Sequence, residues 1–266
     1  MNSPIPLVSY RILQTHPEIY AFSTTRQGGC SVGPYASMNC TPYTGDDADA
    51  VCRNQERLLR TLPGSPLQLV IPWQTHGTQA LCIDGTWLSA TPEKQRETLQ
   101  GVDALLTHLP GLCLCISTAD CIPLLVYDIR HRAVAAIHAG WRGTVNRIVL
   151  RTLEKMQACY GTKGEDVLAC IGPGISLQAF EVGEEVYEAF RDANFPIGQI
   201  SCWNGETHKH HIDLPAANRL QLMDFGVPAR QIEVSGLCTY TQYEKFFSAR
   251  RMGIRSGRML TGIGIL

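Results

Sequence analysis

Three short segments carry side chains that bind metals or attack carbonyls. They are Trp73-Gln74-Thr75-His76-Gly77, Thr118-Ala119-Asp120-Cys121-Ile122-Pro123 and Ile137-His138-Ala139-Gly140-Trp141-Arg142-Gly143. Each places an imidazole or a thiol at the end of an apolar stretch, with Gly or Pro close by. Strand ends are where a rigid scaffold presents side chains to a pocket. Two imidazoles and one thiolate suit a tetrahedral ion such as zinc and leave a fourth position open, as catalytic rather than structural sites do. The same residues allow a second chemistry, with Cys121 as nucleophile and His138 as its base. Each of the three, taken alone, reads more readily as a structural or packing residue.

A hairpin provides a geometric test. Pro123 to Asp128 and Ala133 to His138 read as strands joined by a turn at Ile129-Arg130-His131-Arg132. A turn centred on Arg130-His131 sets His138 opposite Pro123. Cys121, two residues further, then shares a face with Pro123 and becomes a diagonal neighbour of His138, within reach of a bridging ion. A slip of one residue would put the two on opposite faces.

Other residues suggest anion and substrate contacts. Arg142 stands just before a helix expected to start near Thr144. Free N–H groups there, plus a guanidinium, would suit phosphate, whereas a surface ion pair is the plain alternative. Arg26, in Thr25-Arg26-Gln27-Gly28-Gly29, has the composition of an anion-binding loop and equally that of an ordinary turn. Asn39 and Asp46 could hydrogen-bond a sugar or base, although Asp46 and Asp47 also suit the cap of the following helix. The tract His208-Lys209-His210-His211 reads as a solvated loop, and Cys113 and Cys115 as core packing. Arg250-Arg251 and Arg255-Arg258 form a basic cluster near the C-terminus that reads either as a solvated hairpin or as facing the anion site.

The elements expected around these segments are strands at 21–25, 67–74, 79–83, 103–107, 112–117, 123–128, 133–138, 166–171, 232–238, 246–251 and 259–265. Helices are expected to about Leu62 after Asp47, and at 144–160, 183–194 and 215–225. Strands outnumber helices and some are hairpin-linked. The fold class is therefore α/β (α+β), with mixed β-sheets flanked by helices rather than a doubly wound parallel sheet. Gly and Pro scattered without a linker suggest one domain over residues 1–266. The 266 residues are 44% hydrophobic, which argues against disorder, and carry 23 Lys+Arg against 24 Asp+Glu, a net charge of −1. That balance gives no reason to expect nucleic acid or an anionic membrane as partner. Gly111 to Tyr127, the most apolar stretch, is interrupted by Ser117, Thr118, Asp120 and Pro123 and does not suit a membrane span. Met1 to Tyr10 has no basic segment leading into an apolar one, so a cytoplasmic protein is expected, its 11 cysteines reduced and mostly filling the core. Nothing in the sequence sets the oligomeric state.

Taken together, several segments resemble the YfiH-like family, also called the laccase-domain or multi-copper polyphenol oxidase family, whose members are mostly described as purine nucleoside phosphorylases. They are Thr25-Arg26-Gln27-Gly28-Gly29-Cys30-Ser31, Gly45-Asp46-Asp47, His76-Gly77, Ala119-Asp120-Cys121-Ile122-Pro123, His138-Ala139-Gly140-Trp141-Arg142-Gly143, Ile171-Gly172-Pro173 and Phe246-Phe247-Ser248-Ala249-Arg250-Arg251 with Gly257-Arg258. They run in order over nearly the whole chain. The pair of Ala-Asp-Cys-x-Pro and His-Ala-Gly-Trp-Arg-Gly is the most specific part. Cys30 departs from a usual small aliphatic residue, and Trp73-Gln74-Thr75 from the more usual Gln-Val before His76.

The resemblance implies that His76, Cys121 and His138 are metal ligands, with zinc favoured over copper. It implies a compact mixed-sheet fold shared distantly with a toxin deamidase that uses Cys and His. It also implies purine nucleosides and phosphate as substrates: phosphorolysis of inosine, adenosine, guanosine and methylthioadenosine, with adenosine deamination. Asp120 could then shuttle a proton or orient a ligand, and Arg142 could hold phosphate. The alternatives are a copper polyphenol oxidase, a Cys-His hydrolase or amidase linked to peptidoglycan editing, and a non-catalytic binding module. A laccase-type centre needs several copper ions and many imidazoles, but the chain has 8 His, three of them in one tract.

Overall fold

In the computed structural model, residues 5–64, 66 and 68–266 are described. Strands β1 (Leu7–Val8), β2 (Ile19–Thr24), β3 (Gln68–Val70), β4 (Ala80–Cys82), β5 (Ala104–Thr107), β6 (Leu112–Thr118) and β7 (Ile122–Asp128) come first. They are followed by β8 (Ala133–Ala139), β9 (Val167–Ile171), β10 (Glu181–Val182), β11 (Ser201–Asn204), β12 (Lys209–Ile212), β13 (Ile232–Val234) and β14 (Met259–Ile265). They build a five-stranded sheet in the order β1-β2-β14-β6-β3, a six-stranded sheet in the order β13-β9-β7-β8-β5-β4, and a small sheet β10-β12-β11. Both large sheets are mixed: β3 runs parallel to β6, β4 to β5 and β13 to β9, and the other pairs are antiparallel.

Strict alternation sorts the side chains into layers. On β7, Leu125 and Tyr127 face the five-stranded sheet, meeting Leu114, Ile116 and Ile263 there. Leu124 and Val126 face outward, under the helices Ile148–Tyr160, Glu184–Asp192 and Leu214–Asp224. On β6, Cys113 and Cys115 point to the other outer layer, where Leu58 and Leu62 from the segment around helix Ala48–Thr61 cover them. The order is helix, sheet, sheet, helix. Central strands buried on both faces explain why β6, β7 and β8 are continuous apolar runs in the sequence.

The hairpin register is the expected one: Pro123 pairs with His138 in β7–β8. Asp47 caps its helix by accepting from Ala50 N–H at 2.8 Å. Several expectations are corrected. The helix expected over 144–160 is two helices, Trp141–Val145 and Ile148–Tyr160, broken where Arg147 is left-handed (φ 63°). Buried Gln221 splices the break: its Oε1 accepts from Val149 and Leu150 N–H at 3.2 and 3.4 Å while its Nε2 donates to Thr144 O. The strand expected over 246–251 gives way to helix Ala249–Met252, because Ser248 Oγ takes the Arg251 N–H as a cap. The strands expected over 67–74 and 232–238 are shorter, ending at Val70 and Val234, and Leu67 lies outside the described residues. The histidine tract is no loop but part of the β11–β12 hairpin. The 11 cysteines are all free thiols; Cys40, Cys113, Cys115, Cys170 and Cys238 are buried, whereas Cys30, Cys52, Cys159 and Cys202 are exposed and do not fill core space.

The chain crosses between the two large sheets twice in close succession along one rim. One crossing is β3 to β4, and the other is β6 to β7. His76 lies on the first and Cys121 on the second, and β8 ends beside them with His138.

Candidate active site

Asp103, just before β5, organises these crossings. Its carboxylate accepts from the backbone N–H groups of Thr75, His76 and Gly77 at 3.3, 2.9 and 2.7 Å, so it holds the whole His76 turn. That clamp keeps His76 in the left-handed region (φ 61°), an uncommon conformation for a residue with a Cβ. The same carboxylate lies 2.7 Å from His138 Nδ1. With the Nδ1–H tautomer donating to Asp103, Nε2 is turned toward Cys121, the orientation a carboxylate imposes on a metal-binding histidine. The ligand atoms of His76, Cys121 and His138 all lie within 4.8 Å of one another. Gly140 leaves the room for this convergence: a Cβ there would stand 2.9 Å from His76 Cδ2 and 3.0 Å from Cys121 Sγ.

The electrostatics follow from the packing. Burial pushes the Cys121 thiol up, but the His138 charge and hydrogen bond, with His76, outweigh it and bring it down to about 6. Burial pulls His138 the other way, and the Cys121 and Asp103 charges lift it to about 9. Burial also disfavours the Asp103 carboxylate, yet the His138 contact and the turn N–H groups hold it below the usual carboxylate range. A thiolate facing two imidazoles is a donor set suited to a soft or borderline divalent cation.

The triad opens on a cavity of about 410 Å³, a size that takes small organic ligands. Its walls come from Thr41–Thr44, Pro72–His76, Ser117–Cys121, Phe180 and the segment carrying Arg250, Ile254 and Arg258. Gln74 joins two walls through a paired amide contact, donating to Ser117 O at 2.9 Å and accepting Ser117 N–H at 2.7 Å. Tyr43 and Trp73 form a half-exposed aromatic pair at one side, ring centres 4.7 Å apart.

The other residues singled out by sequence fall elsewhere. Asp120 lines the cavity, but its carboxylate is committed: Oδ1 accepts from Thr239 Oγ1 and Oδ2 from Arg250 N–H, both at 2.7 Å, which braces its own left-handed backbone (φ 85°). Arg142 is not before a helix but inside one. It is exposed, its guanidinium lies 4.2 Å over the Trp141 ring, and it does not line the cavity. Arg26 donates to Ala36 O and Tyr243 O and packs over Phe247, a loop tie outside the cavity wall. Asn39 is buried behind the wall; its Nδ2 donates to Asp46 Oδ2 at 2.8 Å and its Oδ1 accepts Arg258 N–H at 3.1 Å. The cations that line the cavity are Arg250 and Arg258. Burial lowers Arg258 from its ordinary value, against the raising effect of the Cys121 and Asp120 charges. Asp103 and Gln74 are the residues that sequence reasoning missed. The available signal for Asp103 was an acid heading an otherwise apolar strand, Val102-Asp103-Ala104-Leu105-Leu106.

A mixed two-sheet fold with a His-Cys-His cluster at the rim where the chain crosses between the sheets defines a class of proteins already known. Residues 20–266 match the family described as multi-copper polyphenol oxidoreductase laccase, and the chain belongs to that family. A purine nucleoside phosphorylase of Bacteroides thetaiotaomicron is 58% identical over 97% of this chain and 96% of its own. An adenosine deaminase from an unknown prokaryotic organism is 42% identical over 92% of this chain and 93% of its own. Among solved structures, the hypothetical protein YfiH of Bacillus licheniformis superposes with a TM-score of 0.89 at 28% identity, covering 100% of this chain and 98% of that one. YlmD from Geobacillus stearothermophilus gives a TM-score of 0.88 at 30% identity, with the same coverage.

Proposed function

We propose that this protein is a zinc-dependent purine nucleoside phosphorylase that also deaminates adenosine. The observation that carries the reading is one cavity in which a His-Cys-His cluster, an aromatic pair and two guanidinium groups face a shared space. Relatives named purine nucleoside phosphorylase and adenosine deaminase, aligned over nearly the whole chain, support it. Inosine, adenosine, guanosine and methylthioadenosine are the nucleosides expected, with phosphate as co-substrate.

His76, Cys121 and His138 would hold the zinc, which when bound supplies a Lewis acid at the cavity floor. Zinc is favoured over copper because a laccase centre needs several clusters, and among the described residues this is the one group of three or more His, Cys, Asp or Glu side chains whose ligand atoms converge. The chain's own residues do the rest. Tyr43 and Trp73 offer a flat apolar surface to the purine. The guanidinium groups balance phosphate as one of its oxygens bonds to the ribose C1′ and the C1′–N9 bond breaks. Asp103 fixes His138, and Asp120 is a positioning residue rather than a proton carrier. Among the described residues no helix is long and apolar enough to cross a membrane. A cytoplasmic location and one domain over residues 1–266 complete the proposal.

The test incubates zinc-loaded protein with inosine, with and without phosphate, beside His138→Ala. Hypoxanthine should appear only with phosphate and only with the unsubstituted protein. Hypoxanthine formed regardless of phosphate or of the substitution would sink the reading. The depressed Cys121 thiol favours one second reading, a Cys-His amidase. Its signature would be an acyl adduct on Cys121 in the mass spectrum after exposure to peptide or cell-wall amides.

A further inference from the structure

Buried hydroxyls nearly always find a hydrogen-bond partner. Six buried side-chain polar atoms among the described residues have none, and three of them, Thr41 Oγ1, Ser117 Oγ and Thr118 Oγ1, belong to the wall of the candidate active site. The other three lie on Thr162, Asp166 and His211, away from the cavity. Ser117 and Thr118 are consecutive on β6 and turn to opposite sides of it; Leu260 pairs with Ser117, so Arg258, two residues before Leu260, shares the Ser117 side. Orphaned donors on that side of the wall mark a place where a ligand supplies the acceptors.

Arg258 stands beside them. Met259 pairs with Thr118 in the β14–β6 register, so Arg258 continues the strand next to Thr118. Its backbone N–H donates to Asn39 Oδ1, and Asn39 Nδ2 in turn reaches Thr41 O at 3.5 Å. The guanidinium is held by neutral acceptors only: Nη1 donates to Ser256 and Gly257 oxygens and Nη2 to Ile254 O. Among the described residues no carboxylate forms an ion pair with it, and the acid nearest in sequence to this wall, Asp120, has both oxygens committed to Thr239 and Arg250. Five donors minus these contacts leave Nε–H and an Nη2–H, the edge of the fork that grips a phosphate side-on. Arg250 differs: it is exposed, donates to Glu181 O and packs over Phe180.

We propose that Arg258 and the hydroxyls of Thr41 and Ser117 form the subsite for a tetrahedral oxyanion, the inorganic phosphate of the phosphorolytic reaction. The inference rests on the phosphorolytic reading of the same cavity. Arg258 supplies charge and a two-pronged contact, and the hydroxyls donate to the remaining oxygens.

The test measures the KM for inorganic phosphate at saturating inosine in the unsubstituted protein, Arg258→Lys, Arg258→Gln and Ser117→Ala, with zinc content and circular dichroism as controls on folding. Arg258→Gln should raise that KM about tenfold or more, Arg258→Lys less, and Ser117→Ala, which removes one hydroxyl, about three- to tenfold. The KM for inosine should move less than that for phosphate in every variant. A phosphate KM within about twofold of the unsubstituted value in both Arg258→Gln and Ser117→Ala overturns the subsite while leaving phosphorolysis standing. Unsubstituted protein that releases no hypoxanthine with phosphate overturns the phosphorolytic reading, and the subsite with it. Inosine monophosphate is the control for the other source of this chemistry. Arg258-dependent inhibition by the nucleotide, without any Arg258 effect on the phosphate KM, would assign the wall to a nucleotide phosphate and overturn the proposal.

Discussion

Two regions of the molecule gather histidines, and only one converges. The tract His208-Lys209-His210-His211 is the denser in sequence. On β12, however, alternation sends His210 and His211 to opposite faces. His210 stacks on Tyr187 with ring centres 3.6 Å apart, and His211 Nδ1 is spent on Leu177 O. His76, Cys121 and His138 come from three separate segments, yet one carboxylate and one glycine bring them together. Ligand density along the chain therefore does not make a site. What makes one is backbone forced to cross between two sheets at one rim, with a buried acid to fix the angles.

That contrast can be sharpened or broken experimentally. Gly140→Ala should have the largest effect, because its new Cβ meets two ligand side chains at once; zinc affinity should fall about 100-fold in a competition titration with a chelator. Asp103→Asn should come next, at about tenfold, since the amide can no longer accept every turn N–H and the His138 proton together. In metal-stripped protein the alkylation rate of Cys121 by iodoacetamide should be half-maximal near pH 6. The thiolate is present above that pH and lost as pH falls through it, whereas an ordinary thiol would give a midpoint near about 8.5. Asp103→Asn should move this midpoint upward by weakening the His138 charge, and zinc should suppress the reaction. His210→Ala should be the smallest change, leaving zinc affinity within about twofold, because that ring packs on Tyr187 and touches no ligand.

Much of this site was legible in the sequence. The Pro123–His138 register follows from the position of one turn, and the α/β layering follows from apolar strands interleaved with amphipathic helices. The cavity lining was legible only in part: the cluster of Arg250, Arg251, Arg255 and Arg258 reads equally as a solvated hairpin or as facing an anion site, and Arg250 and Arg258 do line the cavity. Arg142 lies beside His138 in the chain, but the short helix Trp141–Val145 turns its side chain onto Trp141. Arg258 lies far from the triad in the chain, and only the antiparallel pairing of β14 with β6 delivers it to Thr118. Local pattern shows which residues are chemically able, whereas sheet order decides which of them meet. Asp103 was hidden for the same reason: its partners at 75–77 and 138 are brought to it by β5 lying between β4 and β8.

The most direct measurement is metal analysis of the purified protein after equilibration with zinc and removal of the excess, beside His138→Ala and Cys121→Ser. One zinc per chain in the unsubstituted protein, with little or none retained by either variant, is the result expected from a single three-ligand site. Full zinc retention by both variants, or several copper ions per chain, would contradict it.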